Sequence, residues 1–258
     1  MTQNMRIAVA GGTGVVGRHV VRVAKDNGHE VVVLSRSSGV DLTTGTGLAG
    51  ALDGVDVLID VSSTQTMSAK DSTAFFTTVT RTLLAAEKTA GVRHHVALSI
   101  VGIDDAPHMY YAGKVAQEKE VTSGDVPWTI LRATQFHEFA SQIYGQIKIG
   151  PIIVVPKMRS QPIAAREVAA RLVQLAEGTP AGRVKDLGGP HTELMSRMVR
   201  DYAASIEGTQ AHLGGRIVEL PIPGAYGKAM RDGTLLTGAD ADHGIQTFDE
   251  WLGTQQAR

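Results

Sequence analysis

Arg6-Ile7-Ala8-Val9-Ala10-Gly11-Gly12-Thr13-Gly14-Val15-Val16-Gly17 is the stretch from which the fold is read. An apolar run of strand length, Arg6 to Ala10, ends on a glycine cluster, and apolar residues then recur at Val16, Val20, Val23 and Ala24. That spacing is helical, so the segment predicts a strand, a tight turn and a helix over Val15 to Asn27. Gly28 closes the helix, and Glu30 to Leu34 predicts a second strand, completing one strand-helix-strand unit. The glycines fit G-x-G-x-x-G in the register Gly12, Gly14, Gly17, and G-x-x-G-x-x-G in the register Gly11, Gly14, Gly17. In this setting each has a mechanical task. The first permits the tight turn, the second lets backbone approach a pyrophosphate, the third lets helix pack on strand, and the helix N-terminus offers free N–H groups to an anion. Gly11, Thr13, Gly14, Val15, Val16 and Gly17 are therefore the expected cofactor contacts. No Gly-Lys-Ser or Gly-Lys-Thr follows, which excludes a Walker loop.

The alternation continues downstream. Val55 to Val61 predicts a third strand, Ser72 to Thr89 a helix, Val92 to Ser99 a fourth strand, Tyr110 to Thr122 a helix and Val126 to Arg132 a fifth strand. Strands apolar along their whole length, separated by amphipathic helices, imply a parallel sheet buried on both faces. The expected fold is α/β, a Rossmann-type doubly wound sheet with a smaller C-terminal substrate-binding lobe. Residues 1–134 form the dinucleotide-binding core, and 135–258 complete it and add the lobe, the whole being one structural unit. In that second region the expected elements are a strand at Pro151 to Val155, a helix at Arg166 to Glu177, a strand at Arg183 to Leu187, a helix at Glu193 to Ile206 and a final helix at Thr247 to Leu252.

Composition narrows the function. The 258 residues carry 25 basic and 26 acidic side chains, a net charge of −1, with no concentrated basic run of the kind nucleic acid or an anionic membrane requires. There is no cysteine, so disulfides, thiolate zinc sites and cysteine nucleophiles are excluded. No apolar stretch approaches the roughly 20 residues of a membrane span, and Met1 to Arg6 lacks the form of a leader, so a cytoplasmic location is expected. His94-His95 is expected at the surface end of its strand. Neither these histidines nor Asp240-Ala241-Asp242-His243 has metal-ligand spacing, so no metal is expected.

The end of the second strand selects the cofactor. An NAD enzyme places a carboxylate there for the ribose 2′-hydroxyl, whereas this chain reads Leu34-Ser35-Arg36-Ser37-Ser38. A guanidinium flanked by hydroxyls grips a 2′-phosphate with charge-assisted hydrogen bonds, so Ser35 and Arg36 predict NADP(H). Asp41, with Leu42, is expected near the adenine, and Ser62 at the end of the third strand. Tyr110 and Lys114 stand four residues apart on one helical face, where an ammonium would lower the tyrosine pKa and ready it for proton exchange. Ser99 ends the fourth strand at the carboxyl edge, where open α/β sheets bind ligands. Phe136 and His137 are candidates for a substrate cleft after the fifth strand.

Together these residues resemble the atypical or extended short-chain dehydrogenase/reductases of the NmrA-like, NAD(P)-binding group. The likeness rests on Gly11 to Gly17, Ser35-Arg36, Asp41-Leu42, Ala97-Leu98-Ser99, Tyr110 to Lys114 with Glu118, Trp128 to Arg132, Gln135-Phe136-His137 and the tail Thr247 to Leu252. It departs at Ala133, where the family often has proline. The resemblance implies a catalytic Ser99, Tyr110 and Lys114, with Lys114 also holding the cofactor ribose and Arg36 selecting NADP. Three functions follow from it: an NADPH-dependent reductase of a small carbonyl or quinone with Tyr110 as proton donor; a non-catalytic NADP-binding sensor, which needs the glycine loop and not the tyrosine; or an enzyme that keeps its cofactor bound for epimerisation or dehydration, against which Arg36 speaks because that chemistry commonly goes with NAD. A small-molecule substrate is the expected partner, and nothing in the chain fixes an oligomeric state.

Overall fold

A computed structural model describes residues 4–146, 148, 149, 152–207 and 216–256. The chain divides into two compact units, 1–132 with 166–185, and 133–165 with 186–258. The segment 166–185 belongs to the first unit.

In the first unit β1 (Arg6–Ala10), α1 (Val15–Asp26) and β2 (Glu30–Leu34) form the opening strand-helix-strand. A single 3-10 turn at Arg36–Ser38, α2 (Leu48–Ala51), β3 (Val57–Asp60), α3 (Ala69–Ala90), β4 (His94–Ile100), α4 (Tyr110–Ser123) and β5 (Trp128–Ala133) follow. The strands pair in parallel in the order β2, β1, β3, β4, β5. Ile7 to Ala10 and Val57 to Asp60 are buried throughout, the state an all-apolar parallel strand needs when helices cover both faces. Because β1 is followed by β2 on one side and has β3 on the other, the order reverses at its carboxyl end. That reversal opens the crevice in which doubly wound sheets bind ligands.

Helix ends follow local chemistry. The Ser68 hydroxyl accepts from the Asp71 N–H at 3.2 Å and starts α3, and Gly91 at φ +76° ends it in the left-handed conformation that glycine adopts without steric cost. Val168, Ala169, Leu172, Val173 and Ala176 form the buried stripe of α6 (Ala165–Glu177).

His94 and His95 correct the expectation of a surface position. β4 lies between β3 and β5, and both rings are buried. They survive there because each is partnered: His94 Nε2 lies 2.8 Å from Thr129 Oγ1, and His95 Nδ1 lies 2.8 Å from Glu87 of α3. Burial lowers His94 to about 4, whereas the Glu87 carboxylate outweighs burial and holds His95 above its ordinary value.

The second unit contains α5 (Phe139–Gln146), β6 (Lys148–Ile149), β7 (Ile152–Pro156) and β8 (Arg159–Ser160) before α6. Pro151, placed in a strand by its sequence, lies outside the described residues. The single strand expected at Arg183 to Leu187 is two, β9 (Gly182–Arg183) and β10 (Leu187–Gly188). Thr129 pairs with Gly182 and Ala133 with Leu187, so one extra residue lies between the two pairings and interrupts the ladder. The helix expected from Glu193 begins two residues later. Glu193 and Leu194 form β11 against β8, and α7 (Met195–Glu207) follows. The remaining elements are β12 (Arg216–Leu220), parallel to β7, then α8 (Gly224–Asp232), β13 (Asp242–His243), parallel to β10, and α9 (Phe248–Gln256).

Candidate functional site

The strand register builds the rim. Ala10 lies level with Leu34 and Asp60, and Asp60 with Ala97, so the residues that follow these four strands line one carboxyl edge. The glycine loop is packed into it by contacts that separate the tasks of its glycines. A Cβ on Gly11, at φ +78°, would come within 2.9 Å of Ser62 Cα, and one on Gly17 would meet Gly11 O at 2.1 Å. At Gly14 the nearest atom would be Gly11 O at 3.2 Å, with nothing else within 4 Å. Gly11 and Gly17 are thus required by the fold, while Gly14 keeps open the space in front of the α1 N-terminus.

Gly14 is the N-cap of α1 and offers no side-chain acceptor, so the first-turn N–H groups of Val15, Val16 and Gly17 are left for an external anion. Thr13 is exposed on the same loop. Ser62 stands against it with its Oγ buried and unpartnered, a hydroxyl waiting for a ligand atom. These residues fit a dinucleotide pyrophosphate. The contacts make a clear stability prediction: Gly17→Ala should lower the melting temperature by roughly 2–10 °C, the cost of forcing a methyl into packed backbone, while Gly14→Ala stays near wild type. Thermal unfolding of the two variants side by side checks it, and equal melting temperatures would contradict this division of tasks.

At the end of β2, Arg36 is exposed and starts the 3-10 turn. Ser38 Oγ donates to Val33 O at 2.7 Å and accepts from the Ser35 N–H at 3.1 Å, so the serines shape the turn that presents the guanidinium. Asp41, expected near the adenine, makes its hydrogen bonds within its own loop. Its Oδ1 accepts from Thr43 N at 2.8 Å and Thr43 Oγ1 at 2.6 Å, and these bonds hold its carboxyl below the ordinary value. It braces its own loop, and Leu42 packs on the core beneath.

α4 carries the tyrosine and the lysine, and α3 sets where they go. A Cβ on Gly113 would meet Ser72 Oγ at 2.1 Å and Phe76 Cδ2 at 2.6 Å, so glycine is what lets the helices approach. Ser72 Oγ donates to Tyr110 O at 2.8 Å and pins the start of α4. The Tyr110 hydroxyl lies 2.9 Å from Ser63 Oγ. Burial pushes its phenol above the ordinary tyrosine value, against the Ser63 hydrogen bond, and the nearby Asp60 charge pushes it further.

This corrects the expectation that Lys114 lowers the tyrosine. The Lys114 ammonium is buried, donates to Leu98 O at 2.6 Å and to Gln117 Oε1, and sits 4.6 Å from the centroid of the Phe76 ring. Burial brings it down to about 8, against the pull of Asp60 and Glu118. Phe76 also packs edge-on against Tyr110, so one aromatic ring is the shared neighbour of the pair. Helical spacing put phenol and ammonium on one face, and the α3 contact then filled the space around them with Phe76.

Ser99 is buried and lies near Glu118, with its Oγ free of any geometric hydrogen-bond partner among the described residues. Burial works to raise Glu118, and Arg132 and Ser99 outweigh it and hold the carboxyl low. Arg132 bridges Glu118 and Asp104, two oxygens on each, with contacts of 2.6–2.9 Å. The residues on which the resemblance partly rested, Glu118 and Arg132, are thus a buried ion pair behind the rim. Of the three residues expected to act together, Tyr110 pairs with Ser63, Lys114 donates to Gln117, and Ser99 Oγ is buried with no hydrogen-bond partner among the described residues. Of the site residues not expected from the sequence, Ser63, Phe76 and Gln117 left no signal in it. Asp60 was the one with a clue, a carboxylate ending an otherwise apolar strand.

Phe136 and His137 belong to the second unit. Phe136 is half-buried and bridges to Ile163. His137 is fully buried, its Nε2 3.2 Å from Gln246 O and its ring packed on Phe248 and Trp251. Burial lowers it to about 4, so it is a neutral core residue with no exposed edge to offer a substrate. Among the described residues no group of three or more His, Asp or Glu is arranged to hold a metal, and no helix is long and apolar enough to cross a membrane.

The chain is 30% identical over 164 residues to the photosystem II assembly factor Ycf39 of Synechocystis, a match covering 58% of this chain and 49% of that protein. The chain therefore spans about half the length of that relative. Among solved structures it is similar to an NADPH-dependent quinone oxidoreductase from Escherichia coli in complex with NADPH, with a TM-score of 0.70 at 16% identity, covering 96% of this chain and 99% of that one. It is also similar to a short-chain dehydrogenase/reductase superfamily protein from Agrobacterium tumefaciens with bound NAD, with a TM-score of 0.67 at 19% identity, covering 98% and 96%. At these identities the structures show a shared fold. A family of NAD(P)H-binding proteins matches residues 38–178, more than half of the chain. The chain belongs to this NAD(P)H-binding family.

Proposed function

We propose that the protein is an NADPH-dependent reductase of a small carbonyl or quinone, with Tyr110 as the proton donor. One observation carries the reading. The two serines after β3 link the halves of the site: Ser62 lies against Gly11 of the phosphate cradle, and Ser63 lies 2.9 Å from the Tyr110 hydroxyl. A phenol is thereby held beside a dinucleotide loop. Bound NADPH supplies a hydride, two electrons, to the acceptor. Tyr110 releases its phenolic proton to the acceptor oxygen, and the exposed Ser63 hydroxyl returns a proton from solvent to the phenolate. Burial and the Asp60 charge hold the phenol above its ordinary value, which favours the protonated form that a proton donor needs.

The cofactor preference rests on Arg36, exposed at the end of β2 with no carboxylate in the position that reads a free ribose hydroxyl. Charged hydrogen bonds to a phosphate contribute about 1.5–3 kcal/mol, and a tenfold preference needs only about 1.4. NADPH is expected to bind at least about tenfold tighter than NADH, and Arg36→Ala to remove the difference. Titration of both cofactors by fluorescence decides it, and a variant that keeps the preference excludes Arg36 as its source. NADPH consumption against a panel of quinones, aldehydes and ketones tests the reductase itself.

A second reading, a dinucleotide-binding regulator, is favoured by one observation, the commitment of the Lys114 ammonium to protein groups inside the fold. The relative named as an assembly factor points the same way. Tight NADPH binding with no acceptor in the panel reduced would select it.

A further inference from the structure

Lys114 and Asp60 are both buried, and the side chain of Gln117 lies between them. The Gln117 carbonyl oxygen accepts from the Lys114 ammonium, and its NH2 group donates to Asp60 Oδ2 at 2.8 Å. The second oxygen of Asp60 is equally committed, accepting from the Ser62 N–H at 2.9 Å. We propose that Asp60 is the positioning residue of the Lys114 ammonium, acting through the Gln117 amide. This rests on the reading of Lys114 as part of the site, and it assigns to Asp60 a role that neither the glycine loop nor the tyrosine explains.

Polarity along the array is directional. Lys114 has only donors to give, so the Gln117 amide must turn its oxygen to the ammonium and its NH2 to position 60. Position 60 must then accept twice, once from Gln117 and once from Ser62, and a carboxylate is the side chain that can. An amide there offers one oxygen and one NH2 group, and whichever way it turns, a donor meets a donor in a dry interior. The charged groups around Lys114 are Asp60 from β3 and Glu118 from its own helix, and His95 of β4, bonded to Glu87 of α3, shares the field of Asp60. Tyr110 stands one turn earlier on α4 and also feels Asp60. Of the groups acting on Lys114, only Asp60 reaches it through a continuous hydrogen-bonded array that also fixes the rim at Ser62.

The same logic identifies a compensating change. In the double variant Asp60→Asn with Gln117→Glu, carboxylate and amide exchange places. The carboxylate then accepts from Lys114 and from the amide NH2, and the amide oxygen accepts from the Ser62 N–H. Every donor regains an acceptor and the net charge of the pair is unchanged.

The test is a direct titration of Lys114 by carbon NMR in the full chain labelled at lysine Cε, with its signal identified by its loss in Lys114→Arg. Asp60→Asn is expected to lower the Lys114 midpoint by about one pH unit or more, because the nearby negative charge that favours the ammonium is gone. The double variant is expected to bring it back to the wild-type value or above. A folded Asp60→Asn with the wild-type midpoint overturns the proposal, as does a double variant that stays low or does not fold. If the single variant does not fold, the double variant decides alone. Neither measurement uses cofactor or acceptor. A chain that reduces nothing in the acceptor panel, or a Tyr110→Phe variant with full turnover, overturns the reductase reading without touching this result, and the converse holds equally.

Discussion

Tyr110→Phe is expected to bind NADPH as the unaltered chain does and to lose about 10²–10⁴-fold in turnover, the usual contribution of a positioned general acid. The substitution removes one oxygen and keeps the ring. The edge-on contact with Phe76 and the fit against Tyr111 therefore remain, and the only bond lost is the one to Ser63. Ser63 is exposed and its hydroxyl regains water, so the fold should be little changed. The measurement is steady-state NADPH oxidation with whichever acceptor the panel identifies, alongside cofactor titration. Wild-type turnover in the variant would falsify the assignment of the proton donor and leave solvent as the acid, a route open to quinones. Ser63→Ala, which keeps the phenol and loses its partner, should cost less than Tyr110→Phe in the same assay.

Gly14→Val is expected to lose more than about 100-fold in NADPH affinity, about 2.8 kcal/mol, while the chain stays folded. The two parts have separate physical sources. Folding survives because a Cβ at this position meets only Gly11 O, at 3.2 Å, which a small backbone adjustment relieves. Binding fails because the branches extend into the open space ahead of the α1 N-terminus, where the pyrophosphate must approach the N–H groups of Val15, Val16 and Gly17. Backbone donors to a charged oxygen are worth about 1.5–3 kcal/mol each, so the loss of two already exceeds the predicted effect. Circular dichroism with cofactor titration separates folding from binding. A folded variant with unchanged affinity would move the cofactor away from the loop altogether.

The chain itself determined the sheet and the cradle. Arg6 to Ala10 and Glu30 to Leu34 are strands with the very limits their composition suggests, because an all-apolar, β-branched run between turn residues has few other stable fates. The glycine loop was legible for a related reason. Its function uses backbone groups, and the residue that exposes backbone can be read directly from a sequence. The exposed position of Arg36 was legible too, since it follows a strand end directly and needs no distant partner to be presented.

What the sequence could not decide lies in contacts between elements remote along the chain. His94 and His95 look like surface residues until Thr129 and Glu87, from β5 and α3, supply the partners that make burial tolerable. Tyr110 and Lys114 share a helical face, yet a face says nothing of what packs on it, and Phe76 from α3 is a neighbour of both. Ser63 is the tyrosine's hydrogen-bond neighbour because the turn after β3 reaches the start of α4. Local periodicity fixes which way a side chain leaves its own element. Only the packing of one element on another decides which charge, hydroxyl or ring it meets, and the pKa values and proton partners of the site depend on those meetings.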